Sequence, residues 1–577
     1  MRFTRAFVKP SAAVTVGVAV LLVAVALTPS PAGGVAVLTA RPAPVFATPI
    51  ELAPPSDGVA GPYNTYLNGV SCTSAGNCVA VGQYTDTAGG SPPMIITETG
   101  GVWGPAVRVA LPADVITDPA ALFSFLFDVD CTSAGNCTAV GAYTNNDGNS
   151  EPMVVTETAG VWGAGVALSL PANAMTAPGS QYAWLNQLDC PAPGGCVATG
   201  GYAATGSSMS SGGVIFSETG GVWAQGIQVV LPPNATPATS GPKNPAAGTV
   251  SMGGVSCLGV GQCVAEGAYT DTNFNSQPMI STETNGSWSP AIELITPGNA
   301  ATAVTAQNAF MANLVCFSAG NCEAGGGYND LHGNAQPVYY QQTDGVWRQG
   351  VELTLPANAA TGAGEQSAYL NNFECTSPGN CAAVAAYNDT SGGGQPLAIT
   401  ETGGAWARGT EPPLPSNAAP TAGNQDANIY GLSCTSPGVC VAVGNYVDSD
   451  GNLQAMAYTT VPTLAITTTS LPAAKVGTRY SAVLAATGGT RPHTWAITAG
   501  SLPSGLSLDA ATGAITGSPT ASGTFHFTVT VRDTSPPQEA SAALRITIEP
   551  AVETTTPAGS VTTAAATPVA GTPALTG

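Results

Sequence analysis

The sequence predicts an all-β chain built as a seven-bladed β-propeller followed by a smaller β-sandwich. Three observations predict it. All fourteen cysteines fall in seven C-x5-C pairs whose first members are 59, 59, 67, 59, 59 and 59 residues apart, a period that marks an array of like units. Each unit holds four short apolar or β-branched runs bounded by Gly, Asn, Asp, Ser and Pro, with no helical period. Beyond Cys440 the cysteines stop, and alternating runs gather around Trp495, Phe525, Phe527, Val529 and Val531.

Composition narrows the function. Charged residues are 8 % of the 577, against about 25 % in an ordinary soluble domain, so Ser, Thr, Asn, Gln and Gly must cover the surface. A net charge of -21 repels phosphate backbones and anionic membranes, which excludes nucleic acid as a partner. The three histidines, His332, His493 and His526, stand far apart and supply neither a Ser-His-Asp centre nor a His-rich metal site. No cofactor and no metal are expected.

At the N-terminus Arg2, Arg5 and Lys9 precede a 16-residue, largely apolar run from Ala12 to Leu27, then small residues and prolines. This reads as a signal peptide over residues 1–32, with cleavage after Ala32. Such a run rises about 24 Å as a helix, short of the ~30 Å hydrocarbon core, so no stable membrane span is expected. A secreted or cell-surface monomer follows. At the other end residues 551–577 form a Thr/Ala/Pro-rich string without charge or periodicity, read as a disordered tail.

The units occupy residues 48–461. In the first, Val70 to Tyr84 reads VSCTSAGNCVAVGQY, followed by PMIITET from Pro93 to Thr99, Gly101-Val102-Trp103, and a segment closing on Leu111-Pro112. The tryptophan recurs at 162, 223, 288, 347 and 406. Strand A ends at the first cysteine, strand B follows the second, strand C is the PMIITE run and strand D follows the tryptophan. Four-stranded units of this size are propeller blades. The seventh unit lacks its own strand D, and the N-terminal segment supplies it: Ile50 and Leu52 lie 22 and 20 residues before Cys72, as Val109 and Leu111 do before Cys131. Pairing that segment with strand C of blade 7 closes the ring and removes the exposed edges of an open array.

An even cysteine count behind a signal peptide reads as disulfides. The pairs are Cys72/Cys78, Cys131/Cys137, Cys190/Cys196, Cys257/Cys263, Cys316/Cys322, Cys375/Cys381 and Cys434/Cys440. The five residues between the cysteines make a turn, so each bridge staples an A-B hairpin.

The last folded segment, residues 462–550, carries Leu502-Pro503-Ser504-Gly505-Leu506-Ser507-Leu508-Asp509, then Thr512-Gly513-Ala514-Ile515-Thr516-Gly517-Ser518-Pro519-Thr520, then Gly523-Thr524-Phe525-His526-Phe527-Thr528-Val529-Thr530-Val531-Arg532-Asp533. It resembles the bacterial putative Ig, cadherin-like family, which implies an extracellular Ig-like β-sandwich of the kind appended to adhesins and secreted hydrolases. Some relatives bind calcium, but Asp509 and Asp533 stand alone here. The SCTSAGNCVAVG units are similar to those of secreted actinobacterial propeller proteins, a resemblance that implies no activity.

Strands alternate direction, so A-B and C-D turns leave one face of the ring while B-C and D-A loops leave the other. The eight extra residues of the third repeat fall on the second face, near Ser210-Ser211 and within Pro237 to Thr249, which marks it as the binding face. Six residues before each first cysteine stand Tyr66, Phe125, Trp184, Ser251, Phe310, Tyr369 and Asn428. With strand A innermost, Tyr66, Phe125, Trp184, Phe310 and Tyr369 would surround the channel mouth and offer aromatic faces to a sugar or peptide; packing under the D-A loops is the structural alternative. The tyrosine ending every strand B, and the glutamates at 98, 157, 218, 283 and 401, recur in symmetric copies and read as structural. Asp448-Ser449-Asp450-Gly451-Asn452 lacks the following bidentate Glu of a calcium loop and reads as a turn.

No catalytic residues are assigned. The expected function is adhesion or binding of an extracellular glycan or protein, with the Ig-like module as spacer. The rival is a polysaccharide hydrolase or lyase using paired carboxylates in the channel. Non-repeated acids such as Asp128, Asp130, Glu266 and Glu323 are not paired by sequence alone.

Overall fold

The computed structural model describes residues 45–59, 65–205, 212–236, 250–461, 464–489, 491–533 and 538–551. The segment read as a signal peptide, the extra residues of the third repeat and the tail beyond Ala551 lie outside them. No described helix is long and apolar enough to cross a membrane.

Seven antiparallel sheets, ordered A-B-C-D, form the propeller. In blade 1 strand A is Thr65–Ser74, B is Asn77–Tyr84 and C is Pro93–Thr99, while D is split into Val102–Trp103 and Val107–Arg108. Gly100 and Gly101 make the tight turn from C into D, with φ of 60° and 81°, a left-handed conformation that favours glycine; D is then interrupted over residues 104–106. The same plan repeats through blade 5, and in blade 6 the second half of D is reduced to a bridge between Thr410 and Ala398.

All seven disulfides link residues six apart and staple the A-B hairpins: Cys72–Cys78, Cys131–Cys137, Cys190–Cys196, Cys257–Cys263, Cys316–Cys322, Cys375–Cys381 and Cys434–Cys440. Their second members also reach beyond the hairpin. The second member of each pair, Cys78, Cys137, Cys196, Cys263, Cys322, Cys381 and Cys440, is buried, at 5 % exposure or less. The physical reason is that this cysteine opens strand B, which neighbouring blades cover on both faces. Cys78 packs with Leu67 and Val443 between blades 1 and 7, Cys196 with Val140 and Phe216 between blades 2 and 3, and Cys263 with Val197 and Met252 between blades 3 and 4. Cys322, 1 % exposed, holds the same place in blade 5. The staples are therefore also part of the inter-blade core, where a bridged cysteine acts as a small apolar side chain.

Blade 7 takes strands A to C from Asn428–Ser436, Val439–Val447 and Leu453–Val461. Its strand D comes from the N-terminal segment: Val45–Phe46 pairs with Val461 and Thr460, and Ile50–Leu52 with Ala457, Met456 and Ala455. The register differs from the cysteine count by two residues. Ile50 opposes Ala457 as Val107 opposes Ile95, so Leu52, not Ile50, is the counterpart of Val109, and both are 6 % exposed. The segment entering strand A of blade 1 is shorter by that amount, and because two is the side-chain period the inward face is kept. Leu52 and Leu67 share a buried cluster with Val441, Val443 and Ala457, which joins blade 1 to blade 7 through apolar packing.

Between blades the other repeated side chains are structural too. Trp162 packs beside Val79, Ile95 and Leu126 of blades 1 and 2, and Trp223 beside Val140, Leu185 and Phe216 of blades 2 and 3. Each repeated glutamate sits opposite a tryptophan in the C-D ladder, as Glu98 does opposite Trp103, and is buried, which pushes its carboxyl up from the usual range. The tyrosines ending strand B are buried with their hydroxyls bonded to the preceding D-A loop, Tyr143 to Asp114 at 2.8 Å and Tyr202 to Asn173 at 2.8 Å. Asp448 accepts the N–H groups of Asp450 and Asn452 at 2.9 and 2.8 Å, an Asx-type turn.

Residues 464–551 form the Ig-like sandwich. Its larger sheet contains Thr494–Gly500, Gly523–Arg532 and Glu539–Glu549, and its smaller one Tyr480–Val483, Ala514–Gly517 and Leu506–Leu508. Trp495, Phe527, Val529 and Val531 fill the core between them. Asp509 accepts the N–H groups of Ala511 and Thr512, a turn within this module.

Candidate functional site

Strand A lies innermost and carries a β-bulge at the same place in every blade. In blade 2 the ladder passes from Leu126–Gly141 to Asp128–Val140, leaving Phe127 extra. Two adjacent residues on a bulged strand oppose one on its partner, which resets the alternation of side chains. Positions six and four before the first cysteine therefore face the channel, and so do positions three and one before it. The residues two and five before it, such as Val129 and Leu126, go to the core and are buried.

The upper layers enclose a cavity of about 740 Å³ at the D-A and B-C face. Tyr66, Phe125, Trp184 and Phe310 line it, as the sequence predicts, together with Ser251. Tyr369 is not in the lining; its ring packs on Phe310 with centroids 5.0 Å apart, and its hydroxyl donates to Asn329 at 3.1 Å. The structure adds four aromatics: Phe123, Phe127, Tyr182 and Tyr430. Phe127 and Tyr430 stand four residues before a cysteine, while Phe123 and Tyr182 rise two residues further up the chain and are 48 % and 55 % exposed. Rings pair along the collar, Phe125 with Phe127 at 4.5 Å and Tyr182 with Trp184 at 5.3 Å. Periodicity alone could have found Phe127 and Tyr430, since they share the parity of the aromatic ring above.

Amides stitch the mouth together. Asn68 donates to the Leu126 carbonyl at 2.9 Å, Asn186 to Met252 at 2.6 Å and Asn371 to Ile429 at 2.9 Å. Each crosses to the next blade, so these amides tie the ring together while the same residues line the cavity.

Below the collar lies a second cavity of about 210 Å³, lined by Asp128, Asp130, Asp189 and Glu374 with Ser71, Ser256 and Ser433. Asp128, Gln187 and Asn372 line both spaces. The layer one residue before the cysteines is also a ring of inter-blade bonds: Cys131 N–H donates to Ser71 Oγ at 3.1 Å, Cys190 to Asp130 at 2.8 Å and Cys257 to Asp189 at 2.8 Å. Cys316 N–H donates to Ser256 Oγ at 3.0 Å and Cys72 N–H to Ser433 Oγ at 3.0 Å, while Val315 and Glu374 interrupt the series in blades 5 and 6. Burial pushes the Asp128 carboxyl up to about 8, reinforced by Asp130 and Asp189, and the Asp189 carboxyl up to about 7, reinforced by Asp130. Glu374 is pushed up to about 8 by burial and then by repulsion from the three aspartates. Asp130 is raised by burial, against the hydrogen bonds it accepts.

The other two non-repeated acids lie away from this group. Glu266 is buried within blade 4 behind Gly253 and Gly254. Glu323 lies with one oxygen 2.7 Å from Cys381 Sγ, and the Glu401 carboxyl beside it is pushed up to about 7 by burial and by Glu323. Cys375 and Cys381 are bridged, so their sulfurs are not thiolates and the trio is not a metal set.

Residues 462–549 match the family model of the putative Ig domain. A search of curated proteins finds no match for the chain. Among solved structures, a protein of unknown function from Dyadobacter fermentans aligns over 73 % of this chain and 98 % of its own, at 10 % identity and a TM-score of 0.36. A PL25 ulvan lyase bound to a glucuronate–sulfated rhamnose unit aligns over 72 % and 94 %, at 10 % identity and 0.41. The sialidase of Trypanosoma rangeli in complex with sialic acid aligns over 73 % and 58 %, at 9 % identity and 0.32.

Proposed function

We propose that the chain is an extracellular binding protein that recognises a glycan through the B-C and D-A face of its propeller, with the Ig-like module as spacer or second contact. The observation that carries this is the aromatic collar: strand-A aromatics from several blades converge on one open cavity that Asn68, Asn186, Gln187 and Asn371 also line. Flat aromatic faces with a few fixed polar groups suit sugar rings, whose C–H faces stack while their hydroxyls donate. A peptide is the other occupant such a mouth would fit. Seven disulfides suit an oxidising compartment, in keeping with an extracellular site of action.

The test is glycan-array binding by the full secreted chain beside Trp184→Ala. Selective binding to a saccharide class that the substitution removes supports the reading. Binding to no glycan, or binding indifferent to Trp184, overturns it.

A second reading, a polysaccharide hydrolase or lyase, is favoured by the channel carboxyls that burial makes weaker acids. Asp128 is the carboxylate that lines the mouth, and paired-acid hydrolysis needs two, roughly 5 to 9.5 Å apart. Substrate would therefore have to pass the layer of Asp128, Gln187 and Asn372 to meet Asp130, Asp189 or Glu374. Release of reducing ends from a bound polysaccharide, abolished by Asp128→Asn, would put this reading first.

A further inference from the structure

The channel below the collar offers acceptors and carboxyl groups with nothing positive beside them. Neither cavity has a Lys, Arg or His in its lining. Glu374 accepts no hydrogen bond from any described residue, and burial holds it, like Asp128, at about 8. Such carboxyls keep protons because no cation is there to replace them.

Blade 4 adds an independent observation. Its strand A interrupts the aromatic collar with Ser251 and then carries Gly253 and Gly254. A Cβ on Gly253 would collide with Oε1 of Glu266, so this carboxyl takes the space that Asn68, Phe127, Asn186, Asn371 and Tyr430 fill from the same position in other blades. A Cβ on Gly254 would lie 2.6 Å from Gln187 Oε1 and 2.7 Å from Asn313 Oδ1. Glu266 is 0 % exposed; its Oε1 accepts the Gly254 N–H, while its Oε2 and Gln187 Oε1 find no donor. Packing does not call for a carboxyl here, since the matching positions hold Val81, Val140, Val384 and Val443. Buried acceptors without donors are costly unless something fills the gap.

We propose that the channel beneath the mouth seats a protonated amine, so that the ligand is a saccharide carrying free amino groups, its ammonium meeting Asp128 and Gln187 with Glu266 behind the glycine wall. This rests on the glycan reading of the mouth. An ammonium brings three donors and no acceptor, the aromatic faces above attract cations, and charge pairing strengthens where water is scarce. An N-acetylated sugar lacks the cation that would replace the carboxyl protons, and a uronate brings a negative charge for which the lining has no Lys, Arg or His.

The experiment is calorimetry on the full chain at mildly acidic pH, with glucosamine oligomers, N-acetylglucosamine oligomers and oligogalacturonate of matched length. The expected result is a preference of about tenfold or more for the free amine over its N-acetyl form, with no binding of the uronate. Asp128→Asn keeps an acceptor for the Leu188 N–H, and Glu266→Val installs the residue of four other blades. Each should bring the preference towards one, and Glu266→Val should melt no lower than the parent. Equal affinity for the two hexosamine series, a preference for the uronate, or a preference that survives both substitutions overturns the inference. Neutral-sugar binding that Trp184→Ala abolishes, without an amine preference, overturns the amine site alone; absence of binding by every oligomer overturns the glycan reading with it.

Discussion

The hydroxyl of Tyr446 donates a 2.9 Å hydrogen bond to Oε2 of Glu51, a residue 395 positions earlier in the chain. The same hydroxyl reaches Asn417 at 2.9 Å. In blades 5 and 6 the matching tyrosines make the same pair of contacts within continuous sequence, Tyr328 with Asn299 and Glu352, Tyr387 with Asn358 and Glu411. The N-terminal strand therefore inserts into blade 7 as a native strand D, reproducing both the ladder and the side-chain bonds.

Deleting Thr48 to Pro55 should leave the Leu453–Val461 strand with an unpaired edge, which invites strand exchange and aggregation. Size-exclusion chromatography should show loss of monomer, whereas removal of residues from Thr554 onward should not. In a milder version Tyr446→Phe and Glu51→Ala should be coupled by about 1 kcal/mol or more in a double-mutant cycle. An unchanged melting curve and no association after the deletion would mean the ring does not depend on this strand.

Replacing Cys131 and Cys137 together by Ala should cost about 2 kcal/mol on the chain-entropy model for so small a loop, with the lost packing of the buried Cys137 adding to it. The loss should be local: peptide mapping under non-reducing conditions should still find the remaining six bridges intact, with no link between repeats. A firmly assigned inter-repeat bridge would contradict the hairpin staples.

The acids of the channel make an unusual pH dependence. Asp128, Asp189, Glu266 and Glu374 have folded-state acidities near 8, 7, 8 and 8, above the unfolded values of about 4. The folded state holds protons that the unfolded state releases, so their stabilising contribution is complete below about pH 4 and is lost as pH rises towards 8. Each group adds a slope of up to about 1.4 kcal/mol per pH unit within that window. Asp389 and Asp448, lowered chiefly by hydrogen bonds they accept against their partial burial, act in the opposite direction only in stronger acid. Melting temperature should fall from mildly acidic to mildly alkaline pH, and Asp128→Asn with Glu374→Gln should flatten that slope. A melting temperature that rises across this range would show that the channel acids are ionised in the folded chain.

These acids also mark where the sequence stops being legible. Cysteine spacing and turn residues exposed the blades, the staples and the displaced strand, because each is a local signal repeated seven times. That Cys78, Cys196, Cys263 and Cys322 reach into the inter-blade core is a matter of which blade covers which, and the spacing is silent on it. Strict alternation from Phe125 puts Phe127 on the channel face and Asp128 and Asp130 on the other. The bulge at Phe127 leaves Phe127 on the channel and turns Asp128 and Asp130 towards it as well, and a bulge whose extra residue is Asn, Phe, Gly, Ala or Tyr in different blades leaves no mark in the text. The two-residue shift that matches Leu52 with Val109 is hidden for a similar reason: it preserves parity, so hydrophobicity reads the same in either register.

Trp184 and Trp223 are both half-buried, yet they should fail in opposite ways when replaced. Trp223 packs beside the cluster of Leu185, Val214 and Phe216 between blades 2 and 3, so Trp223→Ala should remove apolar packing and cost about 3 kcal/mol. It lies at the outer strand, away from the mouth, and ligand affinity should follow only the lost folded fraction. Trp184 lines the mouth and meets the Tyr182 ring edge-on, with its inner face close to Gly201. Trp184→Ala should lower the melting temperature less while reducing saccharide affinity by about tenfold or more, as loss of an aromatic anchor does. Chemical denaturation and calorimetry on the same two variants separate the outcomes. Should Trp184→Ala instead destabilise the chain as much as Trp223→Ala and leave binding in the folded fraction unchanged, the collar would be packing beneath the D-A loops rather than a recognition surface.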